Sequence, residues 1–317
     1  MTTFGYVLSC EEHDPRSLIA SAVKAEQAGF SYGLISDHFH PWITRQGNSA
    51  FVWTVLGALA RETSTMRIGT GVTCPTIRLH PAIVAHAAAT CAVLFEDRFF
   101  LGVGSGENLN EHILGDPWPS VEKRHSMLEE AVELIRLLWK GGQRSFYGKH
   151  YTVENARLFT RPSDPPDIYM SAHGHKASAL AGRIADGLIG VVASQDALRP
   201  FHETGGAGKP KLAQIKVCYA EDEDIARRTA REWWPTIALR GQLSQDLATP
   251  KHYESATKTV TEEHVAKAIV CGPDPDRHLE LIARYVDVGY DHVTIHQVGP
   301  EQEAFLNFFE HELRPRV

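Results

Sequence analysis

The chain has 317 residues, 43% of them hydrophobic and 22% charged, with a formal net charge of -7. An acidic balance without any Lys/Arg run argues against a nucleic-acid or anionic-membrane surface, either of which needs a concentrated basic face. The scattered Cys10, Cys74, Cys91, Cys218 and Cys271 never form CxxC, and no leader or apolar run of about eighteen residues is present, so a reduced, cytoplasmic, membrane-free protein is expected.

Along the chain, short β-rich runs ending in polar residues alternate with helix-period segments. The spacing predicts strands at Phe4 to Leu8, Tyr32 to Ser36, Met66 to Val72 and Phe99 to Val103, and helices at Pro15 to Ala28, Phe51 to Arg61, Pro81 to Leu94 and Val121 to Trp139. Pro15 and Pro81 suit a first helical turn, and Gly29 suits a helix end. FYGKHY, within residues 144–160, reads as a tight inserted hairpin. Strands then follow at Asp167 to Ser171, Gly187 to Val192, Gln214 to Tyr219 and His292 to Gln297, among helices at Lys176 to Ala185, Asp224 to Trp234, Glu262 to Ala268 and Asp276 to Val288. The polar stretch 239–261 reads as a loop over the barrel mouth. About eight strands, mostly followed by helices, favour an α/β chain closed into one (β/α)8 TIM barrel over an open sheet. That barrel spans 1–317 as a single domain, with insertions near 142–160 and 239–261.

Catalytic groups in such a barrel project from the carboxyl ends of the strands, so the residues after each apolar run carry the functional reading. After the second strand, ISDHFHPW brings Asp37, His38, His40 and Trp42 together. A carboxylate beside an imidazole can orient it as a general base, the alternative being that Asp37 caps a helix and His38 is packed. After the third strand, the small residues of GTGVTCPT would let a flat ring approach the backbone, although a glycine bulge reads the same way. After the fourth, GVGSGENLNEH supplies a glycine turn with Glu107 and Asn110 but not the full dinucleotide fingerprint; its amides suit a cofactor and Glu107 suits proton transfer. SAHGHKAS places a glycine turn at a helix start, where free amides favour phosphate. His86, His125, His202 and His278 read as exposed or packed, and neither a metal-ligand spacing nor a serine nucleophile elbow occurs.

Taken together, SDHFHPW at 36–42, GTGVTCPT at 69–76, RFFLGVGSGENLNE at 98–111 and AGRIADGLI at 181–189 carry a resemblance over nearly the whole chain. The chain resembles the luciferase-like flavin/deazaflavin oxidoreductases, and among them the coenzyme F420-dependent glucose-6-phosphate dehydrogenase family. The resemblance implies a luciferase-like barrel in which His38 takes the substrate hydroxyl proton, Glu107 protonates the deazaflavin at N1 and Trp42 stabilises the developing intermediate. It implies further that Asp37, Gly71, Val72, Cys74, Ser105, Gly106, Asn110, His173, Gly174, Lys176 and Ala177 line F420. A non-prolyl cis peptide near Gly71 to Val72 and a homodimer formed through barrel helices belong to the same expectation.

Two positions depart from that family. Cys74 stands where threonine is more frequent, and Ser194, Ser244, Gln245 and Ala268 align with the basic residues that hold the sugar phosphate. The expected reaction is therefore hydride transfer between deazaflavin C5 and an unphosphorylated alcohol or carbonyl compound, sugar-like compounds included, or a redox-neutral epimerisation by the same steps. An FMN-dependent luciferase-like monooxygenase and a non-catalytic deazaflavin-binding barrel are the competing readings. In each case the partner is a small molecule.

Overall fold

A computed structural model describes residues 2–317. Its strands are β1 (Thr3–Leu8), β2 (Tyr32–Ile35), β3 (Arg67–Thr70), β4 (Phe99–Val103), β5 (Arg144–Tyr147), β6 (Thr152–Ala156), β7 (Ile168–Ala172), β8 (Gly187–Gly190), β9 (Lys211–Cys218), β10 (Val270–Cys271) and β11 (His292–Gln297). β1, β2, β3, β4, β7, β8, β9 and β11 pair in parallel in that order, and β11 returns to β1, closing the barrel. The two-residue β10 only flanks β9. The expected (β/α)8 barrel is what forms.

Parallel strands are covered on both faces, so each needs apolar residues on both. Inside, Val7, Leu34, Phe100, Tyr169, Ile189 and Leu212 come from six different strands and pack into one interior cluster. Outside, the strands pack on helices through residues such as Leu18, Leu56, Ala88 and Leu134. The wall is tight enough that a Cβ on Gly102 would lie 1.8 Å from the Thr70 carbonyl oxygen.

Local signals explain the helix starts. Asp14 accepts from the Arg16 amide at 2.9 Å ahead of Pro15, and Ser120 caps the long helix Val121–Trp139. The hairpin β5–β6 forms as expected and is tied to that helix by Glu130, whose carboxylate accepts the amides of Lys149, His150 and Tyr151. Four short helices depart from the sequence expectation. Residues 239–261 are not a plain loop but hold the short helices Leu243–Asp246 and Pro250–Ala256. Helix Gln195–Phe201, which contains Pro200, follows β8, and helix Gln302–Phe308 closes the chain after β11. All five cysteines are buried and free, and no helix among the described residues is long and apolar enough to cross a membrane.

Candidate active site at the barrel mouth

His38 leaves the carboxyl end of β2 with its side chain only 10% exposed and its Nε2 3.5 Å from Glu11 Oε1. Glu11 follows β1 and is itself buried, accepting from the Ser9 hydroxyl at 3.2 Å and from the Ser36 hydroxyl. Burial favours the neutral acid, yet the facing His38 and the Ser36 donor outweigh it and hold the Glu11 carboxyl below its usual range. At the other ring nitrogen, two groups serve opposite protonation states. The His40 carbonyl, 3.2 Å from Nδ1, accepts from it when it carries hydrogen, and Asn110 Nδ2, 3.1 Å away, donates to it when it does not. Asn110 is fixed in that orientation because its Oδ1 accepts the Phe39 and His40 amides. An imidazole accommodated in either tautomer is suited to gain and lose a proton.

The carboxylate that faces His38 is thus Glu11, and not Asp37 as the sequence order suggests. Asp37 is buried and turned away. It accepts from Thr73 at 2.7 Å and pairs with Arg78 at 2.8 Å, because a carboxylate out of water must find charge-assisted donors. Arg78 also reaches Glu111, 3.6 Å from its Oε1, where burial pushes the carboxyl up to about 7 despite the guanidinium.

Two adjoining cavities open at the carboxyl ends of the strands. The smaller, about 360 Å³, is bordered by the backbone turn Gly104 to Glu107, by Val72 and by His173 to Ala177. A Cβ at Gly104 would lie 2.6 Å from Val72 Cγ2, whereas one at Gly174 would meet nothing within 4 Å. Gly174 precedes helix His175–Ile184 with no side-chain cap, so its first amides remain available to an anion. The larger cavity, about 800 Å³, is bordered by Trp42, Trp234, Tyr253, Ile215 and Leu239 among others. Glu107, His173 and Gln245 border both. The Trp42 ring lies 5.0 Å from His38 and stands edge-on to Tyr253 at 5.3 Å.

The segment 239–261 does cover part of this mouth. Asn108 donates to the Asp246 carbonyl at 2.9 Å, Trp118 to its carboxylate at 2.9 Å and Arg124 to Gln245 at 2.9 Å, so the short helices are latched to the β4 loop.

Residues 2–292 match the family model described as luciferase-like monooxygenase. The chain belongs to that family. An F420-dependent glucose-6-phosphate dehydrogenase of Segniliparus rotundus is 37% identical, the match covering 99% of this chain and 97% of the relative. One of Microbacterium testaceum is 36% identical over the same shares. Among solved structures, an F420-dependent secondary alcohol dehydrogenase in complex with an F420-acetone adduct superposes with a TM-score of 0.91 at 29% identity, covering 99% of this chain and 98% of the other. The coenzyme F420-dependent tetrahydromethanopterin reductase of Methanopyrus kandleri shares the fold, with a TM-score of 0.81 at 23% identity over 99% of each chain.

Against the expectations carried by this family, Val72, Ser105, Gly106, Glu107, His173, Gly174, Lys176 and Ala177 border the smaller cavity, and Trp42 borders the larger. His38, Asp37, Gly71, Cys74 and Asn110 border neither cavity. Asp37 is engaged by Arg78, and Asn110 by the His38 loop. A Cβ on Gly71 would face Leu34 at 3.0 Å, and Cys74 lies 3.0 Å from the Thr76 hydroxyl beneath Gly106, where burial raises its thiol pKa well above the usual range. The Gly71–Val72 peptide is cis. His125, read from the sequence as exposed or packed, borders the smaller cavity. Of the four neutral positions expected in place of a phosphate clamp, Ser244, Gln245 and Ala268 border the larger cavity. Its lining is nevertheless not neutral, since Lys216, Arg240, Lys267 and Arg284 border it too. The expectation that a charged substrate would meet only neutral donors is corrected by those four cations. Ser194 instead precedes helix Gln195–Phe201 and does not itself border the cavity, although the adjoining Ala193 does.

Glu11, its neighbour Glu12 and the four cations went unnamed in the sequence reading. The signal for the first two was available, because CEEHD follows the first strand as directly as SDHFH follows the second.

Proposed function

We propose that the chain is a coenzyme F420-dependent oxidoreductase acting on an alcohol or carbonyl carbon, with His38 and Glu107 as its proton-transferring groups. The observation that carries the reading is a buried imidazole backed by an ionised carboxylate beside a cavity that Glu107 shares with a glycine-walled cleft. The cleft fits the cofactor. The small residues Ser105, Gly106 and Ala177 and the open face of Gly174 leave room for a planar ring and its phosphate, and the uncapped helix start at His175 offers amides to the latter. Val72, His173 and Lys176 would complete its holding set. Bound there, F420 supplies a carbon that accepts or gives a hydride.

His38 does the acid–base work on the substrate oxygen. With hydrogen on Nδ1 donated to the His40 carbonyl, Nε2 is free to remove a hydroxyl proton during oxidation, and Glu11 then stabilises the imidazolium. The 3.5 Å separation from Glu11 exceeds a hydrogen bond, so the carboxylate acts on the charge without occupying the nitrogen. In the reverse direction the imidazolium returns that proton to the oxygen. Glu107, at the junction of the cavities, holds or releases a proton toward the cleft, and Trp42 with Tyr253 excludes water from the reacting carbon.

The test is titration of the purified protein with F420 and with FMN, followed by deazaflavin absorbance during incubation with 2-propanol, glucose and other alcohols. F420 should bind more tightly than FMN and be reduced by at least one alcohol, and His38→Ala should abolish that reduction. Tighter binding of FMN with oxygen uptake would replace this reading by a monooxygenase, and F420 binding without turnover by any compound would leave a binding barrel.

A further inference from the structure

Two consecutive acids after β1 serve opposite neighbours in the barrel. β1 pairs with β2 on one side and β11 on the other, and Glu11 reaches His38 beyond β2 while Glu12 reaches His296 in β11. His296 Nε2 lies 2.6 Å from Glu12 Oε2, and the Gly299 amide donates to Oε1 at 2.8 Å. Both side chains are sealed, with 0% of Glu12 and 2% of His296 exposed. Burial favours the neutral acid, but His296 and the Gly299 amide outweigh it and hold the Glu12 carboxyl below its usual range. His296 in turn packs edge-on against Trp234, with ring centroids 4.9 Å apart. Lys216 of β9 and His13 of the same loop act on both acids through space, but among the described residues neither hydrogen-bonds to their carboxylates. Neither Glu12 nor His296 borders a cavity, so the pair can act on the reaction only through other residues.

A buried pair of this kind adds little net stability, since apolar residues of like volume would hold the fold as well; what it adds is direction. Direction matters at Glu11. The 3.5 Å gap between Glu11 and His38 exceeds a hydrogen bond, so the imidazole does not hold in place the carboxylate that serves it. The Ser9 and Ser36 hydroxyls orient the Glu11 carboxylate but not the path of its backbone. That path is a turn in which the Glu12 and His13 amides donate to the Ser9 carbonyl at 3.3 and 3.2 Å, and the Asn48 amide donates to the Glu11 carbonyl at 3.1 Å. On the β11 side the Glu12 carboxylate ties the turn down. We propose that Glu12 and His296 are positioning residues: by tethering the turn after β1 to β11, they keep Glu11 at the distance from which it stabilises the His38 imidazolium. The inference deepens the proposed function and rests on His38 acting as its base. A small slip of Glu11 would be felt, because a misplacement of about 1 Å at a reacting centre can cost on the order of 10²-fold.

The test sets steady-state turnover beside a titration that needs none. The apolar pair Glu12→Leu/His296→Phe, which keeps the volume filled, should lower kcat about tenfold, with KM and F420 affinity within about twofold of wild type. Glu12→Gln should escape most of that loss, because its amide can accept from Gly299 and donate to His296 in the tautomer with hydrogen on Nδ1. In a Glu11→Gln background the apolar pair should cost no more than about twofold further, since the residue through which it acts is already gone. The acidic limb of the kcat/KM profile should move to lower pH by about half a unit in the apolar pair, because an imidazolium less well served by Glu11 releases its proton more readily. Losses that multiply in the Glu11→Gln background, a Glu12→Gln as impaired as the apolar pair, or wild-type kcat in that pair would each overturn the inference. The second readout is the NMR titration of His38 in the F420-free protein, its signal identified by its loss in His38→Ala. The midpoint should move down in the apolar pair and stay in Glu12→Gln. That pattern without F420 turnover by any compound would refute the proposed reaction and leave the positioning role standing, whereas an unmoved midpoint in the apolar pair would overturn the role. Should the apolar pair fail to fold, Glu12→Ala carries the same comparisons.

Discussion

Glu11 Oε1 and His38 Nε2 face each other at 3.5 Å from the ends of adjacent strands, with Glu11 held ionised in a buried setting. A buried anion at that distance is available to stabilise the imidazolium that proton abstraction creates. Replacing Glu11 by Gln keeps the shape and an acceptor for Ser36 but removes the charge. Glu11→Gln should lower kcat by roughly 10- to 100-fold and His38→Ala by about 10²- to 10⁴-fold, while F420 affinity stays near wild type in both. Steady-state deazaflavin absorbance with an alcohol that the wild type oxidises measures this. Full activity of Glu11→Gln would remove the carboxylate from the mechanism.

Gly174 offers a test of the cleft free of folding artefacts. A Cβ there would meet no atom within 4 Å, so Gly174→Glu should leave the melting temperature nearly unchanged while placing a carboxylate where the cofactor's phosphate would sit. F420 affinity should fall more than about tenfold, because like charge opposes the anion and the cleft is filled. Unaltered binding by fluorescence titration would move the phosphate elsewhere.

Arg78 holds two buried carboxylates, Asp37 at 2.8 Å and Glu111 at 3.6 Å, with side-chain exposures of 6% for the arginine and 1% for each acid. Removing the cation leaves those acids uncompensated. Arg78→Met should destabilise the fold by about 3–5 kcal/mol in urea unfolding. The double replacement Arg78→Met/Asp37→Leu should recover part of that loss, and no recovery would count against the charge argument.

Glu111 gives the fold a pH dependence of opposite sign to that of Glu11. Burial raises its folded pKa to about 7, above the ordinary 4.5, so the folded chain retains a proton that the unfolded chain has released. Its contribution is complete below about pH 4.5 and is lost as pH rises through about 7. Glu11 and Glu12 have lowered pKa values, and their contributions are present above the ordinary carboxylate range and lost as pH falls through the folded values. Glu111→Gln should therefore flatten the stability profile between pH 5 and 7.5, removing a decline of on the order of 5 °C in the melting temperature. Parallel profiles for variant and wild type by calorimetry would contradict the assignment.

The strand alternation was legible because each barrel strand is a compact apolar run ended by polar residues, as in YGLI before SDHFH. Helix Gln195–Phe201 escaped because seven residues with Pro200 inside show too little periodicity to register. The same brevity hid Leu243–Asp246 and Pro250–Ala256 within a stretch that reads as polar loop. Polar groups adjacent in sequence mislead when the fold turns them apart. Asp37 precedes His38 yet points to Arg78, while Glu11, far earlier in the chain, reaches the imidazole because β1 and β2 are neighbours. The cations of the larger cavity were invisible for a related reason, since four separate segments converge only once the barrel closes.

The two halves of the chain divide the labour at the mouth. Glu11, His38 and Glu107 follow β1, β2 and β4, whereas Lys216, Arg240, Lys267 and Arg284 all lie from β9 onward. The proposed proton-transfer residues and the basic side chains of the larger cavity therefore lie on different stretches of polypeptide. Recombination between related barrels with a junction near residue 190, at the end of β8, would exchange the basic side of the larger cavity while leaving Glu11, His38 and Glu107 in their own framework.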